Sequence, residues 1–213
     1  MDLFIRRKKI MKFLKWKTLL LTAAVCLSPI LLGLALWNKL PSTMAIHFDM
    51  YNNPDNFAPK GFVVFGMPLL MVLLQVFCCF INDINSHKHG ERKKFERVTK
   101  WIIPIMTIIL QIITLGYGLG WMIDIRKAAT LLVGIVLLVI GNYLPKLDYV
   151  KHYDTSTEKA RKINRFIGFA TVVMGFLFLI SIFMPPIATI TCLILLIPYA
   201  IISVIYSIKI IRK

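Results

Sequence analysis

Histidines near carboxylates, and a pair of histidines, are the residues here whose types and spacing could do chemistry. His47 and Asp49 stand two apart. On an extended segment both would point to one side, where they could form a hydrogen-bonded pair or a weak metal site. No second His or Cys stands nearby in sequence, so a structural His47 is the simpler reading. His87 and His89 flank a single residue, a spacing that can catch a transition metal, but the further ligands of a built site are missing. Cys26, Cys78, Cys79 and Cys192 form neither a disulfide framework nor a metal-ligand pattern. HExxH, GxSxG and P-loop motifs are absent, and no carboxylate pair lies inside an apolar run. Neither an enzyme nor a cofactor is expected.

The elements that must position these residues are set by the solvent. Hydrophobic residues make up 58% of the 213, and the mean hydropathy is +0.73, too apolar for a soluble domain of this size. Crossing a bilayer takes about 20 mainly apolar residues. Six stretches qualify: 18–37, 61–81, 101–123, 128–144, 166–184 and 187–208. The expected fold is therefore all-α, a polytopic membrane protein with a six-transmembrane-helix bundle. A basic segment (1–17) precedes it and a basic tail (209–213) follows.

The net charge of +16 is distributed by topology. Seven Lys/Arg precede the first span, six lie in 82–100, six in 145–165 and three in the tail. So 22 of 26 basic residues share one side, which by the positive-inside rule puts both termini in the cytoplasm. These residues then face anionic lipid of the cytoplasmic leaflet. Nucleic acid is not an expected partner, because no aromatic-interleaved basic surface or helix-turn-helix pattern accompanies the charge. The first apolar run exceeds a signal-peptide core in length and reads as a signal anchor.

Within the spans Asp, Glu, Lys, Arg and His are absent, leaving Gln75 and Gln111 as the strongest polar groups. Ion-driven transport usually keeps ionisable residues there. Pro29, Pro68, Pro104 and Pro198 interrupt four spans, and each frees a carbonyl that a neighbouring group must satisfy. Gly116 and Gly120 have GxxxG spacing, while Gly134 with Gly141 and Gly168 with Gly175 repeat at seven, so each set marks a helix-contact stripe. The loop 38–60, external by the charge count, contains Pro41, Pro54 and Pro59, which rule out one continuous helix. Phe48, Tyr51 and Phe57 anchor it as a folded lid. Thr155 and Glu158 have capping-box spacing at the start of a later helix. Asn38-x-Leu40-Pro41 and Asn142-x-Leu144-Pro145 resemble each other after spans one and four, as an inverted repeat would, although chance similarity is the simpler reading.

Leu40-Pro41-x4-Ile46-His47-Phe48, with Asp49 and then a polar run to Lys60, resembles the first external loop of the SdpI-like bacterial membrane proteins. That loop typically reads LPxxIPxHF, an acidic turn, then a lysine. The motif's second proline is missing here. A second family signature, GNYxPK, matches at Gly141, Asn142, Tyr143, Pro145 and Lys146. The chain rejoins the family pattern at Arg161, Asn164 and Arg165, lacking its RTPW segment. The resemblance implies immunity: a protein of the bacterial plasma membrane that protects its producer from a secreted membrane-active peptide toxin. That peptide would bind the external loop at Leu40, Pro41, Ile46, His47, Phe48, Asp49 and Lys60. The alternatives are a signalling or scaffold protein holding a cytoplasmic regulator on its basic loops, and a small transporter or exporter component.

Overall fold

A computed structural model describes residues 14–89, 93–147 and 157–212. Six helical stretches among them are long and apolar enough to cross a membrane, so this is the fold of a multi-pass membrane protein. They run Trp16–Ala35, Phe62–Ser86, Lys94–Gly118, Ile125–Lys146, Glu158–Ser181 and Pro186–Arg212, each overlapping an expected span. No more than 33% of any of them is buried inside the protein. The remainder exposes large apolar side chains such as Leu73, Phe77, Phe169 and Ile197, a surface that only lipid can solvate well. The chain divides into two compact units, residues 1–47 with 56–122 and residues 48–55 with 123–213.

The first unit is built around prolines. Helix α1 (Trp16–Leu27) stops and α2 (Pro29–Ala35) starts at once, because Pro29 has no N–H to give to the carbonyl of Val25. Ser28 takes that carbonyl instead, with its hydroxyl at 2.8 Å and its N–H at 3.3 Å. A π-helical turn, Phe62–Gly66, opens the next span, and Met67 N–H closes it on Phe62 O. The following bond in that register would need an N–H from Pro68. Val63 O instead accepts from Gln111 Nε2 at 2.9 Å. Helix α3 (Met67–His89) continues the span, and α4 (Lys93–Gly118) contains Pro104. Pro104 frees the carbonyl of Lys100, and Gln75 Nε2 donates to it at 2.9 Å. Both glutamines of the apolar interior therefore complete backbones that prolines had broken, as the sequence demanded of some neighbour.

Helices α1, α3 and α4 all pack on one another. The α4 C-terminus departs from the expected GxxxG stripe. Trp121 N–H bonds Gly116 O at 2.9 Å and Gly120 N–H bonds Tyr117 O at 3.0 Å, with Gly120 at φ +88°. That is a Schellman cap, which needs the left-handed residue that glycine supplies. A Cβ on Gly116 would collide with the Trp121 ring folded back over it. Gly116 and Gly120 thus end a helix rather than join two.

In the second unit, α5 (Ile125–Tyr143) begins at Asp124, whose carboxylate accepts from Lys127 N–H at 2.9 Å. A 3-10 turn (Leu144–Lys146) follows, then α6 (Thr157–Ser181) and α7 (Pro186–Arg212). The seven-residue glycine stripes meet as expected. A Cβ on Gly134 would lie 3.2 Å from Gly175 O, and one on Gly141 2.8 Å from Gly168 O. The glycines pair antiparallel, and their missing side chains let the two backbones touch. Helix α7 joins through Met174, Phe178 and Cys192, with Leu137 and Tyr199 at the edge, and Tyr199 shares a 2.6 Å hydrogen bond with Thr171.

Two expectations change. The all-α assignment gains a two-stranded sheet, β1 (Thr43–Phe48) and β2 (Pro54–Pro59). In the expected loop 82–100, α3 runs on to His89 where no helix was expected, while α4 starts at Lys93, within the stretch 91–100 whose pattern is helix-like. The side chains of His87 and His89, and the Thr155 cap, lie outside the described residues. The proposed repeat finds no local support: Leu40-Pro41 leads into a strand, whereas Leu144-Pro145 lies in a 3-10 turn.

Candidate functional site

The loop between the first two spans is a β-hairpin, its stem in the first unit and its tip in the second. Lys60 N–H bonds Ser42 O at 2.9 Å. That register sets Met44 opposite Ala58, with both side chains turned inward. They pack with Leu40, Val63, Val64 and Leu115 in one buried cluster, and Ile46, Trp37 and Leu119 flank it. Met44 lies over Gly118, where a Cβ would displace it. The hairpin is thereby seated on the ends of α3 and α4 by its own apolar face. Thr43, His47, Phe57 and Pro59 are exposed on the stem.

Lys60 is held rather than presented. Its Nζ donates to Trp37 O at 3.1 Å and stands 4.6 Å from the centre of the Trp37 ring. Asp49 closes the turn. Its carboxylate accepts from Tyr51 N–H at 2.9 Å and from Asn53 N–H at 2.8 Å, and from Asn53 Nδ2 at 3.0 Å. The Asn53 side chain, then its backbone, then Tyr51 hold the carboxyl below its usual range. Asp49 therefore builds the turn. In the second unit, Asn52 takes φ +69°, a left-handed value that asparagine tolerates. Its side chain brackets the start of α5, donating to Ile123 O at 3.3 Å and accepting from Ile125 N–H at 2.8 Å. Of the tip residues, Tyr51 is exposed and Phe48 half-buried.

Residues 24–72 match a domain of unknown function, DUF1648. This domain is found in SdpI-like membrane proteins. No curated protein and no solved structure matches the chain. The matched stretch covers the second half of the first span, the whole hairpin and the start of the second span. It includes Leu40, Pro41, Ile46, His47, Phe48, Asp49 and Lys60, and stops well short of the second signature.

That second signature has a packing explanation. Gly141 and Pro145 both lie against Gly168. Lys146 Nζ donates to Asn142 Oδ1 at 3.0 Å and stands 5.5 Å from the Tyr143 ring. Arg161 and Arg165 are exposed on α6, while Asn164 between them is buried.

Sequence reasoning missed a cluster of charges inside the first unit. Asp83 and Lys100 form an ion pair in which each residue is 2% exposed. Glu96, also buried, accepts from Ser86 Oγ and pairs with Lys15 Nζ at 2.8 Å. The second oxygen of Asp83 accepts the Lys15 backbone N–H at 3.1 Å, capping α1. Asp83, Glu96 and Lys100 all lie within helices long and apolar enough to span, but beyond the apolar runs 61–81 and 101–123, which themselves hold no Asp, Glu, Lys, Arg or His. The available signal was spacing. Gln75, Cys79 and Asp83 recur every four residues, as do Glu96 and Lys100, so each set shares a helix face.

Proposed function

We propose that this is an SdpI-like immunity protein of the bacterial plasma membrane, protecting its cell from a secreted membrane-active peptide received at the hairpin. Both termini would be cytoplasmic, with the basic loops on anionic lipid. The observation carrying this reading is the division of the matched motif. Leu40 and Ile46 seat the hairpin, Lys60 and Asp49 brace it, and His47, Tyr51 and Phe57 are left outward. A seated hairpin stem that exposes His47 and Phe57 suits capture of an amphipathic peptide, since aromatic residues are the usual anchors of such contacts. The test is deletion of the gene followed by challenge with peptide fractions secreted by the same strain. Sensitisation reversed by the wild-type gene is expected; equal survival of deleted and wild-type cells would sink the proposal.

A second reading, a scaffold for a cytoplasmic regulator, draws on Arg161 and Arg165, exposed one turn apart on α6. Recovery of a soluble partner with wild-type membranes, lost with Arg161→Glu/Arg165→Glu, would favour it.

A further inference from the structure

The first unit is polar along its interior, and we propose that this seam is a proton-conducting path held shut by the hairpin. At one end stand the paired charges. Lys15, with its side chain 38% exposed, pairs at 2.8 Å with Glu96, whose side chain is 7% exposed, and the Asp83–Lys100 pair is anchored to the same residue through the Lys15 backbone N–H. From there the seam continues through Gln75, whose Nε2 reaches Cys79 Sγ at 3.2 Å as well as the Lys100 carbonyl. Cys79 meets the Thr22 hydroxyl at 3.9 Å. One turn further along α1, Cys26 meets the Thr107 hydroxyl at 3.8 Å. A turn beyond Thr107, Gln111 reaches Val63 O beneath the hairpin. There the polarity ends. Leu40, Met44 and Ala58 from the hairpin close the passage against Val63, Val64 and Leu115.

Three observations favour conduction over packing alone. Asp83, Glu96 and Lys100 are buried near the ends of helices long enough to span, and ionisable groups at membrane depth by default mark ion or proton routes. Thr22, Cys26, Cys79 and Thr107 carry hydroxyls and thiols that can both donate and accept. A relay would exchange the bonds that Thr22 Oγ1 now gives Thr18 O at 2.8 Å and Thr107 Oγ1 gives Ile103 O at 2.7 Å. Gln75 Oε1, in a residue 0% exposed, accepts no hydrogen bond from a described residue. A buried acceptor calls for a donor, and a hydrated proton passing this point would supply one. Among the described residues, the charged or titratable groups on the packed faces include Lys15 and Cys26 from α1, Cys78, Cys79 and Asp83 from α3, Glu96 and Lys100 from α4, and Lys60 at the hairpin. Lifting the hairpin would hydrate the apolar end and join the seam to the far side.

The experiment uses the full chain in vesicles holding a pH-sensitive dye, with an imposed potassium diffusion potential. Wild-type vesicles should acidify no faster than protein-free ones. Met44→Ala and Leu40→Ala/Met44→Ala should admit protons, and adding Asp83→Asn/Lys100→Met should abolish that entry. Helix content and monodispersity are checked for each variant, and Met44→Ala decides if the double aggregates. Folded plug variants as tight as wild type would overturn the proposal. So would a leak that survives Asp83→Asn/Lys100→Met, or one that passes potassium as readily as protons.

Discussion

Gln75→Leu should destabilise the first unit, and Pro104→Ala should relieve that loss. Gln75 Nε2 holds the Lys100 carbonyl at 2.9 Å because Pro104 has no N–H to offer it. Leaving a buried carbonyl unsatisfied costs about 1–3 kcal/mol. Interhelical hydrogen bonds in membranes are weaker, averaging about 0.6 and reaching about 1.7 kcal/mol. Leucine also removes Gln75 Oε1, a buried acceptor without a partner among the described residues, which offsets part of the loss. The expected destabilisation is therefore about 1 kcal/mol, at the lower end of the penalty for an unmet buried group. Pro104→Ala restores an N–H four residues beyond Lys100, so Gln75→Leu in that background should be nearly silent. Reversible unfolding in mixed detergent, followed by tryptophan fluorescence, gives the four stabilities of the cycle. Coupling within about 0.5 kcal/mol of zero, the usual limit for independent sites, would refute the account of glutamines completing proline-broken helices.

Asp83→Asn alone leaves Lys100 buried without its counter-charge and should cost about 3–5 kcal/mol, whereas Asp83→Leu/Lys100→Met should fall within a few kcal/mol of wild type on either side; the same unfolding assay separates them. Gly141→Leu should force α5 and α6 apart, because Gly168 O would lie 2.8 Å from the new Cβ, and a cysteine crosslink engineered between the two helices should form more slowly. Asn52→Gly keeps the left-handed turn but deletes both bonds to the start of α5, costing about 1–3 kcal/mol at roughly 0.5–1.5 per bond; equal loss in Asn52→Gly and Asn52→Ala would show that docking matters more than φ. Asp49's carboxyl is lowered by its turn hydrogen bonds, so its contribution is present above the unfolded carboxyl pKa of about 3.9 and disappears as pH falls through the lower folded value. Amide protection at Tyr51 and Asn53 should accordingly fade only in strong acid, and Asp49→Ala should lack it at neutral pH.

The membrane class and the six spans were legible because 20-residue apolar runs are long, redundant signals. The α5–α6 contact was legible too, since glycines spaced at seven return to one helix face. Gly116 and Gly120 had an equivalent spacing but sit at a helix end, where the backbone conformation of Gly120 decides and spacing does not. The hairpin was hidden by its shortness and by the prolines at both ends of β2, which break the alternation that identifies a strand. The charge cluster was hidden by a boundary. Lys100 read as one more basic loop residue, and only the extension of α3 and α4 beyond the apolar windows turned it inward onto Asp83. The roles of Gln75 and Gln111 depended on which carbonyl each proline freed, a matching between helices that no local pattern carries. Within the hairpin, the family motif identified the segment but not the division of labour between buried Leu40, braced Lys60 and outward His47.

The most direct test of the hairpin as a receiving surface compares survival of cells expressing His47→Ala/Tyr51→Ala/Phe57→Ala or wild-type protein at equal membrane levels, under challenge with the secreted peptide fraction. These three side chains are exposed and stand outside the apolar cluster that seats the hairpin. The variant should accumulate normally and protect no better than the empty vector. Protection equal to wild type would contradict it.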